Sequence, residues 1–168
     1  VKSETDPNAI VIFQSPKEND SDAFQENVNI VLNDLEGREL SLQDYIDAAI
    51  ENLPSVFEDF KLVESGAVIV SNNNAAKLVY SGKLNGKAFK TLQAITIKNG
   101  VSYIITYSSE EQNFAKYLGE VQKMIESFQI TKNLKEENSA IEPQEPANTR
   151  LNEPLEPPTA PVENSQLE

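Results

Sequence analysis

The sequence predicts an α+β fold: an antiparallel β-sheet of at least five strands packed with two main helices, followed by a disordered C-terminal tail. Three observations carry that prediction. Two segments repeat apolar residues at spacings of three and four, the period of a helix with one buried face. Between them lie runs rich in Val, Ile, Thr and Tyr, joined at Asn85-Gly86 and Asn99-Gly100. Both dipeptides tolerate the positive φ that two-residue hairpin turns require. After Ile130 the composition changes, and from Lys132 to Glu168 there are six prolines, eight glutamates against three basic residues, and no aromatic side chain.

In chain order, residues 10–14 ("IVIFQ") and 26–33 ("ENVNIVLN") are predicted strands. In the second, Val28, Ile30 and Leu32 share one face, and Asn27, Asn29, Val31 and Asn33 the other, because side chains alternate with period two. Leu42, Tyr45, Ile46, Ala49, Ile50 and Leu53 then form a helical stripe, with Ser41 placed to cap it and Asp44 in its first turn. Pro54 is expected to end or kink this helix, while Val56, Phe57 and Phe60 continue the apolar surface. Strand signals follow at residues 67–71, 76–84, 89–98 and 101–107, and the last three make a hairpin-linked meander. Asn72, Asn73 and Asn74 read as a turn using left-handed conformations. From about Ser109 to Ser127, Phe114, Tyr117, Leu118, Val121, Met124, Ile125 and Phe128 form a broad stripe, with Glu110 and Glu111 favouring the helix start.

Residues 1–131 therefore read as one domain and residues 132–168 as an acidic, proline-rich tail. Such a tail buries too little apolar surface to offset a chain entropy of about 1–2 kcal/mol per residue. Its "EPLEPPTAPVE" lacks the flanking basic residue common in SH3-type ligands and reads as a linker. A chain that begins at Val1, with its one methionine at Met124, is expected to be processed or truncated, with an anchor in the residues upstream. No apolar run approaches the ~18 residues of a membrane helix, so direct insertion of these residues is not expected.

Histidine and cysteine are both absent. Their absence removes the imidazole base, the thiolate nucleophile, His-containing zinc sites and disulfides. A formal net charge of -13 opposes binding to nucleic acid phosphates or anionic lipid, and leaves basic partners open. Ser15, Ser65, Ser81 and Ser108 have no histidine to activate them, and a dyad with Lys83 or Lys87 rests on composition alone. No phosphate-binding glycine pattern is present. Paired carboxylates for glycoside hydrolysis need one acid in a pocket, and every Asp and Glu reads as lying in a polar or loop-like context. No enzyme activity and no cofactor is expected.

The stretch "FQSPKENDSDAFQENVNIVLND" holds the candidate site. Glu18, Asp20, Asp22 and Glu26 supply oxygens that calcium would accept, but the run lacks the glycine and twelve-residue spacing of a calcium loop, and a solvated acidic loop is favoured. Asn27 and Asn29 are expected to bond to the backbone of the loop 15–25 and hold it down.

Taken together, Ser15-Pro16, Asp22, the run Glu26-Asn27-Val28-Asn29, Tyr45 in the first helix, "GKAFKTLQAITIKNGVSYIITYS" and the closing Ser127-Phe128 resemble the PsbP-like proteins, a group related in fold to Mog1 and DcrB. The resemblance spans about residues 9–130. It implies a PsbP/Mog1-like sandwich and a non-enzymatic domain outside the cytoplasm, since the founding member is an extrinsic photosystem II subunit of the thylakoid lumen and many relatives are envelope lipoproteins. The opening pair of strands around a "YPxxW" turn, usual in the family, is absent. The expected function is a binding or assembly domain docking on a larger protein complex at a membrane surface. The alternatives are a lumenal photosystem II accessory protein, and a ligand-binding or hydrolytic envelope protein using a cleft between the sheet and the first helix.

Overall fold

Left-handed residue pairs set the connectivity of the sheet. Ser71 and Asn72 (φ 51° and 59°), Asn85 and Gly86 (52° and 77°), and Asn99 and Gly100 (53° and 73°) each turn the chain straight back on itself. Asparagine and glycine enter this region at low cost, and the twist of such turns matches that of the strands they join. Four consecutive strands result, one more than the three-stranded meander that the sequence predicts.

The computed structural model describes residues 9–17, 19, 20 and 24–131, and the predicted tail 132–168 lies outside them. The elements are β1 (Ala9–Gln14), β2 (Asn27–Asp34), α1 (Leu42–Val56), β3 (Glu58–Val70), β4 (Asn73–Leu84), β5 (Lys87–Lys98), β6 (Val101–Glu110), a 3-10 turn (Glu111–Asn113) and α2 (Phe114–Ser127). The strands form one sheet in the order β1-β2-β6-β5-β4-β3, and every neighbouring pair is antiparallel. The fold is α+β, as predicted.

Four boundaries differ from expectation. The turn is made by Ser71 and Asn72, and Asn73 and Asn74, expected in it, already belong to β4, which starts at Asn73 instead of residue 76. Pro54 stays inside α1, which runs on to Val56. Being in the last turn, the proline removes one helical hydrogen bond, and the Phe57 N–H still reaches the Leu53 carbonyl (3.0 Å). Strand β3 begins at Glu58 instead of residue 67, with pairing irregularities between Glu58 and Lys61 and between Leu62 and Glu64. Ser109 and Glu110 remain in β6, paired with Lys90 and Phe89, so α2 starts at Phe114.

Alternation along the strands gives the sheet two apolar faces. Val31, Leu78, Ile95 and Ile104 meet Tyr45, Ile46 and Leu53 of α1. Val28, Val79, Leu92, Ile105 and Tyr107 meet Phe114 and Val121 of α2. The sheet is thus the middle of three layers. Helix α1, closed at its start by a reciprocal Ser41–Asp44 capping box, buries Tyr45, Ile46, Ala49 and Leu53, whereas α2 fully buries Phe114 and Val121 alone. No helix among the described residues is long and apolar enough to cross a membrane.

Candidate functional site

Where β1 ends, the chain leaves the sheet at Ser15-Pro16 and returns at Phe24, whose ring packs edge-on against Phe89 at 4.8 Å. Three contacts join departure to return. The Ser15 N–H donates to the Glu26 carbonyl (2.7 Å), the Gln25 side-chain amide donates to the Ser15 carbonyl (2.5 Å), and the Ser15 hydroxyl donates to Glu26 Oε2 (3.2 Å). A fourth bond comes from Asn113, whose amide donates to Glu26 Oε1 (2.9 Å). One glutamate therefore ties the end of β1, the start of β2 and the turn before α2.

Burial makes Glu26 an exception to the expectation that every acid lies in a polar or loop-like setting, for it is only 3% exposed. Asp20 is exposed, and Glu18 and Asp22 lie outside the described residues. Among the described residues no three acidic side chains gather where they could hold a metal ion. Asn27 makes one bond of the expected kind, from its Nδ2 to the Gln25 carbonyl (3.3 Å), while neither side-chain polar atom of Asn29 finds a partner. The loop's ends are held mainly by Ser15, Gln25 and Glu26.

Glu26 lies in the wall of a cavity of about 240 Å³ on the α2 side of the sheet, not between the sheet and the first helix. Phe13 and Pro16 from the end of β1, Tyr107 from β6, and Tyr117, Glu120 and Met124 from α2 complete most of the lining. Tyr107 is fully buried and donates its hydroxyl to the Phe114 carbonyl (3.1 Å). Burial raises its pKa above the usual tyrosine value, a bond with Ser109 opposes this, and the charges of Glu26, Tyr117 and Glu120 add to the rise. The pocket is apolar, with its charge negative.

On the opposite face, the register aligns two polar rows. One runs Asn27, Ser108, Thr91, Tyr80 and the other Asn29, Thr106, Gln93. All seven residues are at most 2% exposed, yet Asn27 Oδ1, both polar atoms of Asn29, and Tyr80 Oη, Thr91 Oγ1, Gln93 Oε1 and Ser108 Oγ lack hydrogen-bond partners. Such groups ordinarily pair when buried. One bond, from Gln93 Nε2 to Thr106 Oγ1 (3.2 Å), joins members of a row. The alternation of β2 places the asparagines on this face, but nothing local reveals that β5 and β6 would put further polar residues beside them.

No family model and no curated protein matches the chain. Solved structures do. The Pseudomonas aeruginosa protein PA94, of unknown function, aligns with 79% of this chain and 90% of its own at a TM-score of 0.66 and 16% identity. Cyanobacterial PsbP (CyanoP) from Synechocystis aligns with 71% of this chain and 82% of its own at a TM-score of 0.50 and 14% identity. The chain has the PsbP/Mog1-like fold. A looser likeness, with a TM-score of 0.48 and 13% identity over 62% of this chain and 61% of the other, is to LpqN, involved in cell envelope biogenesis of Mycobacterium tuberculosis. At 14% identity the likeness to cyanobacterial PsbP carries the fold alone.

Proposed function

We propose that this PsbP-like chain is a non-catalytic binding domain that docks on a larger protein complex, at a membrane surface outside the cytoplasm, through an edge of its sheet. The observation that carries the reading is where apolar surface remains uncovered. Every large exposed apolar side chain among the described residues lies on an edge strand: Ile10 and Phe13 on β1, and Leu62, Val63 and Ile69 on β3. Edge strands present unpaired backbone N–H and C=O groups, and a partner segment that adds a strand satisfies them.

Of the two edges, β3 suits docking better. Its thirteen residues bulge only near the Glu58 end, and from Ser65 to Val70 it pairs residue for residue with β4 from Leu78 to Asn73. That stretch, "SGAVIV", carries no charge, and Ile69 on it is 64% exposed. Protective charge is confined to the other half, where Glu64 pairs with Lys77 and Asp59 with Lys83 (2.7 Å). The absence of His and Cys from the sequence supports a non-catalytic role, and the net charge of -13 favours a basic partner. The placement outside the cytoplasm rests on the likeness to cyanobacterial PsbP.

Native size separation of the full chain in its source organism tests this. Wild type should migrate with a large assembly, and a Val63→Asp/Ile69→Asp variant should migrate as free chain with an unchanged melting temperature. A variant still in the assembly would overturn the edge assignment. Wild type migrating alone would overturn docking itself.

A further inference from the structure

Two glutamates and three aromatic rings share the pocket at the end of β1, and no lysine or arginine is among the residues lining it. Glu26 is the unusual member. Almost wholly buried, its carboxylate is met by two neutral donors, the Ser15 hydroxyl at 3.2 Å and the Asn113 amide at 2.9 Å. Neither of the two ion pairs among the described residues includes it. The Glu26 carboxyl group thus has no cationic partner within the fold, and a ligand that brings a positive charge meets a buried acceptor without a competitor. Glu120, exposed on α2, is the second acidic side chain of the lining.

The other walls favour the same sign of ligand. Phe13, Tyr107 and Tyr117 are among the lining side chains, and aromatic faces are electron-rich and attract cations. Tyr117 already engages one of the chain's own ammonium groups, since Lys116 Nζ, outside the lining, sits 4.9 Å from its ring centroid. Val28, Val121 and Met124 supply apolar surface to the wall. At about 240 Å³ the cavity is smaller than the roughly 300–1,000 Å³ of sites for drug-sized ligands, which suits a short stem ending in a charge.

We infer that this pocket binds an alkylammonium group, a protonated amine on a short aliphatic stem such as a lysine side chain or a small free amine presents. The stem packs against Phe13, Val121 and Met124, and the ammonium faces Glu26 and Glu120. This assignment is independent of the edge-strand docking proposed above.

The test is an amide-resolved NMR titration of the full chain at low ionic strength with n-butylammonium, and with n-butanol as a neutral probe of the same stem length. Butylammonium should produce saturable shifts at Tyr107, Tyr117 and Val121 with half-saturation near a concentration of about 1 mM, as befits so small a ligand. Butanol should bind at least ~10-fold more weakly, a difference that only charge recognition explains. Glu26→Gln should weaken butylammonium by ~10-fold or more and Glu120→Gln by about 3-fold, since one is buried and the other is screened by water. Should Glu26→Gln fail to fold, Tyr117→Leu at the rim serves in its place and should also lose affinity. A parallel arm with Nα-acetyl-lysine amide separates the sources: binding as tight as butylammonium assigns the site to a protein side chain, and much weaker binding assigns it to a free amine. Equal binding of butanol and butylammonium, or no saturable shift at tens of millimolar amine, would overturn the proposal. The Val63→Asp/Ile69→Asp variant should leave the titration unchanged, so failure here and failure of the docking reading are told apart.

Discussion

Asn29 is fully buried in mid-strand, between Ile12 on β1 and Thr106 on β6, with neither amide atom bonded. A buried amide without partners forfeits its hydration, at about 1–3 kcal/mol in protein contexts. Replacing it by valine, which is apolar and much closer to asparagine in volume than leucine, removes that loss with little overpacking. Asn29→Val is therefore expected to raise the unfolding free energy by ~1 kcal/mol in urea titrations, and a loss of similar size would show that the amide is satisfied in solution. Tyr80 permits a second residue-scale test. Burial foremost raises its hydroxyl pKa far above the ordinary value; the Thr91 hydroxyl, across from it on β5 but not in good hydrogen-bond geometry, acts the other way, and Tyr103 and Tyr107 are raised less. Because the folded state holds the proton more tightly, this contribution is fully present below the unfolded tyrosine pKa of about 10 and is lost as pH rises toward the folded value. Stability should fall above pH ~10 by up to about 1.4 kcal/mol per pH unit for Tyr80, and Tyr80→Phe should flatten that fall in denaturation curves taken between pH ~9 and ~11.

At the scale of elements, legibility followed local chemistry. The β4–β5 and β5–β6 hairpins could be read because Asn-Gly dipeptides fix the turns. Strand β3 is legible at its far end only, because an edge strand exposed on both faces shows no alternation and its bulges break the period. Glu110 and Glu111 imitated a helix start, but pairing with β5 holds Glu110 in the sheet. In the candidate site, the face taken by Asn27 and Asn29 followed from the alternation of β2. The burial of Glu26 did not, since its partner Asn113 lies 87 residues away. The two helices also differ in weight, though their stripes look alike. Leu53 of α1 is fully buried, whereas Leu118 and Ile125 of α2 are half-buried. Leu53→Ala should cost ~3–5 kcal/mol and Ile125→Ala only ~1 kcal/mol in the same urea assay, and equal costs would place α2 deeper than it lies here. The seam between α1 and β4 is tighter still. A Cβ on Gly82 would stand 2.7 Å from Phe57 Cβ and 3.2 Å from the Glu58 carbonyl oxygen, so Gly82→Ala should destabilise by about 1–3 kcal/mol.

For the whole molecule, two opposing features decide whether it stays single. The free edge of β3 offers "SGAVIV" as a regular, uncharged template with Ile69 outermost, the kind of surface that pairs with another copy of itself. Against this stands a formal charge of -13, which makes every approach of two copies repulsive. The repulsion is long-ranged at an ionic strength of ~0.01 M, where the screening length is about 30 Å, and falls to contact range near 1 M, where it is about 3 Å. Apolar contact and backbone pairing are hardly weakened over the same range. The protein is therefore expected to sediment as a monomer at low salt and to self-associate as salt is raised, reversing the usual effect of salt on complexes held by ion pairs. Ile69→Lys, which puts a charge on the edge without touching the core, should suppress the association at every salt concentration and change stability by less than about 0.5 kcal/mol. Sedimentation velocity at matched protein concentrations reads both effects. Association that Ile69→Lys leaves intact would mean that a surface other than the β3 edge brings the copies together.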